Sequence, residues 1–153
     1  MKVAIVGSRS LSVENLGKYL PPDTTEIVSG GARGVDTSAR YYALMNEIKL
    51  TEFLPEYKKY SRAAPLKRNL QIIEYADFVL IFWDGESSGA RNVIENCREK
   101  KIPHKVFMTD GKGGFKPHQY GKISAAEVFI LLLAFAGFIL MLFDVDPMTI
   151  FFA

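Results

Sequence analysis

Residues 27–36 read Ile27-Val28-Ser29-Gly30-Gly31-Ala32-Arg33-Gly34-Val35-Asp36: an apolar run, a glycine-rich stretch, then a candidate helix start. A strand that runs straight into glycines and on into a helix makes a turn whose backbone N–H groups can approach an anion closely. The helix N-terminus adds partial positive charge at the same spot. Arg33 offers a two-pronged phosphate contact. Asp36 either accepts from a ribose hydroxyl or caps its helix. The competing reading is a tight structural turn. The stretch has neither the Gly-Lys-Ser/Thr of a Walker loop nor the spacing of a dinucleotide fingerprint.

Outward from this turn, apolar runs alternate with segments of helical period, the pattern of a parallel sheet flanked by helices. Upstream, Lys2–Val6 reads as a buried strand, and Ser12 as the N-cap of a helix with Val13, Leu16 and Leu20 on one face, stopped by Pro21-Pro22. Glu26–Ser29 is the second strand. Asp36 or Thr37 then caps a helix carrying Ala39, Tyr42, Ala43 and Met45. Leu50–Leu54 reads as a third strand, and Glu56–Ala64 as a loop rich in Tyr and Lys. Pro65 opens a helix whose inner face is Leu66, Leu70, Ile72 and Ile73. Phe78–Trp83 has no polar alternation, as expected of a central strand covered on both faces. Gly89–Lys101 is a helix with Val93, Ile94 and Cys97 inward, and Lys105–Met108 is a fifth strand. The expected fold is α/β, a Rossmann-like parallel sheet of about five strands with flanking helices over residues 1–110. A flexible linker (111–123) follows, marked by Gly111, Gly113 and Gly114. Residues 124–153 form an apolar C-terminal segment.

Composition narrows the function classes. The 153 residues carry a formal net charge of +2, with no basic field of the kind that marks a nucleic-acid binder, so a nucleic acid is not an expected partner. Cys97 is the only cysteine, which excludes an intramolecular disulfide and a cysteine-based metal cluster and fits a reducing cytoplasm. His104 and His118 have no suitably spaced partners, so no metal and no cofactor is expected. Met1–Gly7 lacks the long apolar core of a secretory leader.

In an open parallel sheet, ligands bind at the carboxyl ends of the strands. Three unusual loops fall there: Gly7-Ser8-Arg9-Ser10, the glycine stretch above, and Trp83-Asp84-Gly85-Glu86-Ser87-Ser88-Gly89. Ser8 and Arg9 read as a second anion contact or as an exposed turn. Arg68-Asn69, one turn into its helix, faces the same crevice or solvent. Trp83 either stacks on a base or closes the core edge.

Four stretches in order resemble the SLOG superfamily, which joins the DprA (Smf) DNA-processing proteins to the Lonely Guy phosphoribohydrolases, and most of all its short YspA-like branch. They are Val3–Arg9, Ile27–Asp36, Ala64–Asn69 and Ala76–Gly89. The resemblance covers residues 1 to about 108. It implies a Rossmann-like fold and a pocket for a nucleotide or nucleotide-derived small molecule. The residues it carries over are Gly7, Ser8, Arg9, Ser29, Gly30, Gly31, Arg33, Gly34 and Asp36, with Arg68, Asn69, Asp84, Gly85, Ser87 and Gly89. One departure is specific. The Lonely Guy motif Pro-Gly-Gly-x-Gly-Thr-x-x-Glu has a glutamate that helps cleave an N-glycosidic bond; here Ala90 holds the threonine place and Val93 the glutamate place. Glu95 lies about 200° further round the helix.

The expected function is binding of such a ligand by a membrane-tethered sensor or accessory protein. The alternative is a nucleotide-processing hydrolase, cleaving an N-glycosidic or phosphate bond, with Asp36, Asp84 or Glu86 as acid or base. The tether is read from the C-terminal segment. Val128–Phe143 holds no charged residue, and residues 125–143 hold only Glu127. As a helix this span covers about 24–29 Å, against ~30 Å of hydrocarbon. Lys112, Lys116 and Lys122 precede it and Asp144 and Asp146 follow it, which would leave the nucleotide domain in the cytoplasm at the inner membrane face. The other reading is a helix or hairpin packed on a second subunit in a homo-oligomer. Leu133→Arg, at the middle of the span, is expected to oppose insertion by about 2.5–3.5 kcal/mol. Carbonate extraction of membranes should leave the wild-type chain in the pellet and release the variant. Release of both would dismiss the tether.

Overall fold

The computed structural model describes residues 1–110 and 113–118. Within them a mixed six-stranded sheet is flanked by helices. The strands are β1 (Lys2–Gly7), β2 (Glu26–Ser29), β3 (Lys49–Glu52), β4 (Phe78–Trp83), β5 (His104–Thr109) and β6 (Phe115–Pro117), in the order β3-β2-β1-β4-β5-β6. The first five run parallel, and β6 is antiparallel to β5. The helices are α1 (Val35–Met45), α2 (Tyr57–Tyr60), α3 (Ala64–Tyr75) and α4 (Ser88–Glu99).

Alternation along β1 sorts its side chains to two cores, as the period of two requires. Val3 and Ile5 join Val35, Ala39 and Ala43 of α1 on one face; Ala4 and Val6 join Ile72 and Ile73 of α3 and Val93, Ile94 and Cys97 of α4 on the other. Both faces of β4 are therefore covered, which is why Phe78–Trp83 can be apolar throughout. Burial pushes the Cys97 thiol up to about 12, so it stays protonated as a small core residue.

Four sequence expectations change. No helix runs from Ser12 to Leu20: the Val13 amide donates to the Ser38 hydroxyl, Asn15 is left-handed (φ 52°), and only a 3₁₀ turn forms at Leu16–Lys18. Val13 and Leu16 still reach the core, so the apolar spacing marked burial correctly and helix wrongly. The sheet does not stop at five parallel strands. Residues 115–117, read as part of a flexible linker, form β6, because Phe115 packs edge-on against Phe82 at 5.0 Å and against Tyr19 at 6.3 Å. In α3 Ile72 and Ile73 are buried and Leu70 packs partly buried against the same core, but Leu66 is exposed, and Ala64, Arg68 and Asn69 take the rest of the inner face. Neither Asp36 nor Thr37 caps α1; Gly34 occupies the cap position with no side-chain bond. Among the described residues no helix is long and apolar enough to cross a membrane, and the tether read at residues 125–143 lies outside them.

At the amino ends of β2 and β3, Glu26 is buried and accepts from Lys49 Nζ (2.9 Å), Thr51 Oγ1 (2.7 Å) and Tyr75 OH (3.0 Å). Desolvation works to raise its pKa, but these bonds outweigh it and hold the carboxyl at about 2 instead of 4.5. A depressed acid stabilises the fold above its unfolded pKa and loses that contribution as pH falls towards the folded value. Wild type should therefore exceed Glu26→Gln by about 1–2 kcal/mol at neutral pH. The gap should close between about pH 4.5 and 2, as urea titrations over that range would reveal.

Candidate nucleotide-binding cleft

Because β2 lies on one side of β1 and β4 on the other, the chain leaves β1 and β4 in opposite directions, and a crevice opens at their carboxyl ends. A cleft of about 880 Å³ occupies it. Its walls come from the loop after β1, the glycine turn after β2, the loop after β4, and the N-terminal ends of α3 and α4.

The floor is a buried pair of opposite charges. Arg68 Nη1 lies 3.5 Å from Asp36 Oδ2, and both residues are over nine-tenths buried. Gly30 makes room for the guanidinium: a Cβ at this position would collide with Arg68 Nη1 and Cζ. Asp36 does not cap its helix but reaches back to accept from the Ala32 amide at 3.1 Å. Burial pushes its carboxyl above the usual range, against the Ala32 amide and the Arg68 charge. Arg68 Nε is buried with no hydrogen-bond partner. A guanidinium carries five donors, and an unsatisfied buried one is costly unless something supplies an acceptor. Asn69 lies beside it, also buried, with Nδ2 3.5 Å from Asn92 Oδ1.

The wall after β4 is organised by Asp84. Its Oδ1 accepts from the amides of Glu86 (3.0 Å) and Ser87 (2.8 Å), and its Oδ2 from Ser10 Oγ at 2.6 Å. Desolvation acts to raise this acid, but the Ser10 hydroxyl and the loop amides prevail and hold it far below the ordinary carboxylate range. Ser8, fully buried, ties the two loops together: its amide donates to Phe82 O (2.9 Å) and its Oγ accepts from the Asp84 amide (3.1 Å). Ser87 caps α4 by accepting from Ala90 N.

Nine of the residues expected from the sequence line one cleft: Gly7, Arg9, Asp36, Arg68, Asn69, Asp84, Glu86, Ser87 and Gly89. Ser8, Ser29, Gly30 and Gly85 build the loops behind it. Gly31 (φ 67°) and Gly34 (φ 79°) shape the turn, and a Cβ on Gly34 would press the Arg9 backbone at 2.6 Å. Arg33 is not brought to the cleft; it lines a second cavity beside α1. Trp83 offers no stacking surface: it is 7% exposed, and its indole N–H donates to Ser87 O. Sequence reasoning passed over Arg62, which lies in the Tyr- and Lys-rich stretch and lines the cleft with Arg9. The only signal for it was its place just ahead of a helix that starts at the carboxyl edge of the sheet.

Of the candidate acid–base groups, Asp84 accepts three hydrogen bonds from the two loops, Asp36 is turned to Arg68, and Glu86 is the exposed carboxylate at the rim. Among the described residues no His, Cys, Asp and Glu group could hold a metal ion. Asp84→Ala should free two loop amides; hydrogen exchange at Glu86 and Ser87 is expected to quicken about tenfold, with the sheet amides unchanged.

Compared with known proteins, the chain matches no family model and no curated sequence.

Proposed function

We propose that the cleft binds a nucleotide or nucleotide-derived ligand, and that the protein works as a sensor or accessory protein in a Rossmann-like setting. The observation that carries this reading is Arg68, a buried guanidinium with an unpartnered Nε on the floor of a cleft. The side chain lines the cleft, where a guanidinium offers a phosphate a two-pronged set of donors. The N-terminal end of α4 (Ser88, Gly89) and Arg9 and Arg62 at the walls favour the same anion. Glu86 and the Asn69 amide offer partners to ribose hydroxyls or a base edge. Turnover has weaker support, since two of the three carboxylates are engaged in holding the site together. Residues 125–143 extend the proposal to a membrane tether on sequence grounds.

Mass spectrometry of small molecules that co-purify with the full chain is the test. A phosphate-bearing ribose compound is expected with the wild type. Arg68→Lys keeps the charge opposite Asp36 but loses the fork, and should weaken binding of that compound about tenfold to a hundredfold. Arg33→Ala should leave it unchanged. Retention by Arg68→Lys together with loss in Arg33→Ala would remove the anion from this cleft. Release of free base or phosphate on incubation would favour the hydrolase.

A further inference from the structure

The outward face of α1 is apolar where a surface helix is ordinarily polar. Its inner stripe, Val35, Ala39 and Ala43, is fully buried. On the other side Tyr41, Leu44 and Met45 are 69%, 67% and 76% exposed, and their spacing of three and four makes one ridge. Beside the ridge lies the second cavity, about 670 Å³, between α1 and the segment Ser12–Leu16. Val13, Leu16, Tyr42 and Met45 give it an apolar lining, and Arg33 stands at one end. It shares no lining residue with the cleft. A ridge and a groove on one face are what a two-fold contact between identical chains needs, because the same patch must serve as knob and as hole.

Charge selects the occupant and its direction. Arg33 precedes α1 and Glu47 follows it; both are exposed, and neither is in an ion pair among the described residues. The helix between them spans about 16 Å. Antiparallel packing of α1 on its own copy, centred near Tyr41, brings the Arg33 end of each chain to the Glu47 end of the other. The same centring sets Leu44 and Met45 opposite Thr37 and Ser38, which line the groove. Parallel packing would stack like charges instead. We infer that a second copy of this chain docks on the outer face of α1 as an antiparallel two-fold dimer. Tyr41, Leu44 and Met45 of each copy fill the groove of the other, and two Arg33–Glu47 pairs close the rim.

The test uses the full chain carrying Cys97→Ala, with one new cysteine at a time. Tyr41→Cys, near the two-fold axis, should cross-link to its own copy with a short bis-maleimide. Glu95→Cys, exposed on α4, should not. Sedimentation then reads the rim: Arg33→Glu and Glu47→Arg should each weaken self-association by about tenfold, and the double exchange should restore it. Restoration also excludes misfolding as the cause. The proposal falls if Tyr41→Cys and Glu95→Cys cross-link alike, if neither does, or if the charge variants associate like wild type. It falls as well if Tyr41→Cys resists a monofunctional maleimide in a monomeric chain, which would mean that residues 119–153 of the same chain cover the face.

Discussion

The pairing of β1 with β4 is the constraint on which the rest depends. Five residues of each strand are in parallel register, from Val3 opposite Phe78 to Gly7 opposite Phe82. Strands joined by seventy residues of chain are thus locked to within one residue at their carboxyl ends. Gly7 is where the fit is tightest, since a Cβ there would meet the Phe82 carbonyl and come within 2.7 Å of Val35 Cγ2. A parallel register cannot slip by one residue without exchanging the two cores, because side chains alternate between faces. The lock therefore also fixes which apolar residues meet α1 and which meet α3 and α4.

Polar groups continue this register beyond the last paired residues. Ser8 satisfies one strand-end carbonyl and one loop amide, and Asp84 takes two loop amides and a serine hydroxyl. Such residues look like ligand contacts in a sequence, and part of their chemistry is spent on the scaffold. The consequence is a cleft with pre-set walls, its loops held by their own hydrogen bonds. Arg68 is the exception. Its burial beside Asp36 leaves an N–H without an acceptor, and a buried ion pair so incompletely satisfied costs stability. The Glu26 cluster at the opposite end of the sheet makes the contrast: three donors converge on one carboxylate, and both of its oxygens are engaged.

The two faces of α1 divide its duties. Asp36 belongs to the cleft, whereas Thr37, Ser38, Tyr41 and Met45 belong to the outer groove. A contact that braces the outer face would also steady the glycine turn that sets Asp36 against Arg68. Gly30 and Gly34 are the hinges of that arrangement, one because a guanidinium lies where its side chain would be, the other because of its positive φ.

Most of the sheet was legible in the residues themselves. Strands β1, β2, β4 and β5 and helices α1, α3 and α4 follow from apolar runs, glycine turns and helical spacing, which act over a few residues. The same local signals gathered Gly7, Arg9, Asp36, Arg68, Asn69 and Asp84 at the carboxyl ends of the strands, where they line one cleft. What only the tertiary structure decided were matters of partner and direction. Whether Val13 and Leu16 sit on a helix depended on a hydroxyl from Ser38. Whether residues 115–117 make a strand depended on Phe82 and Tyr19, far away in sequence. Arg33 and Arg68 look alike as glycine-loop and helix cations. One lines the outer cavity, and the other is buried where Gly30, having no side chain, leaves room for its guanidinium. Spacing sets which residues share a face; long-range packing sets what that face meets, and burial then decides whether a charge waits for water, for a neighbour or for a ligand.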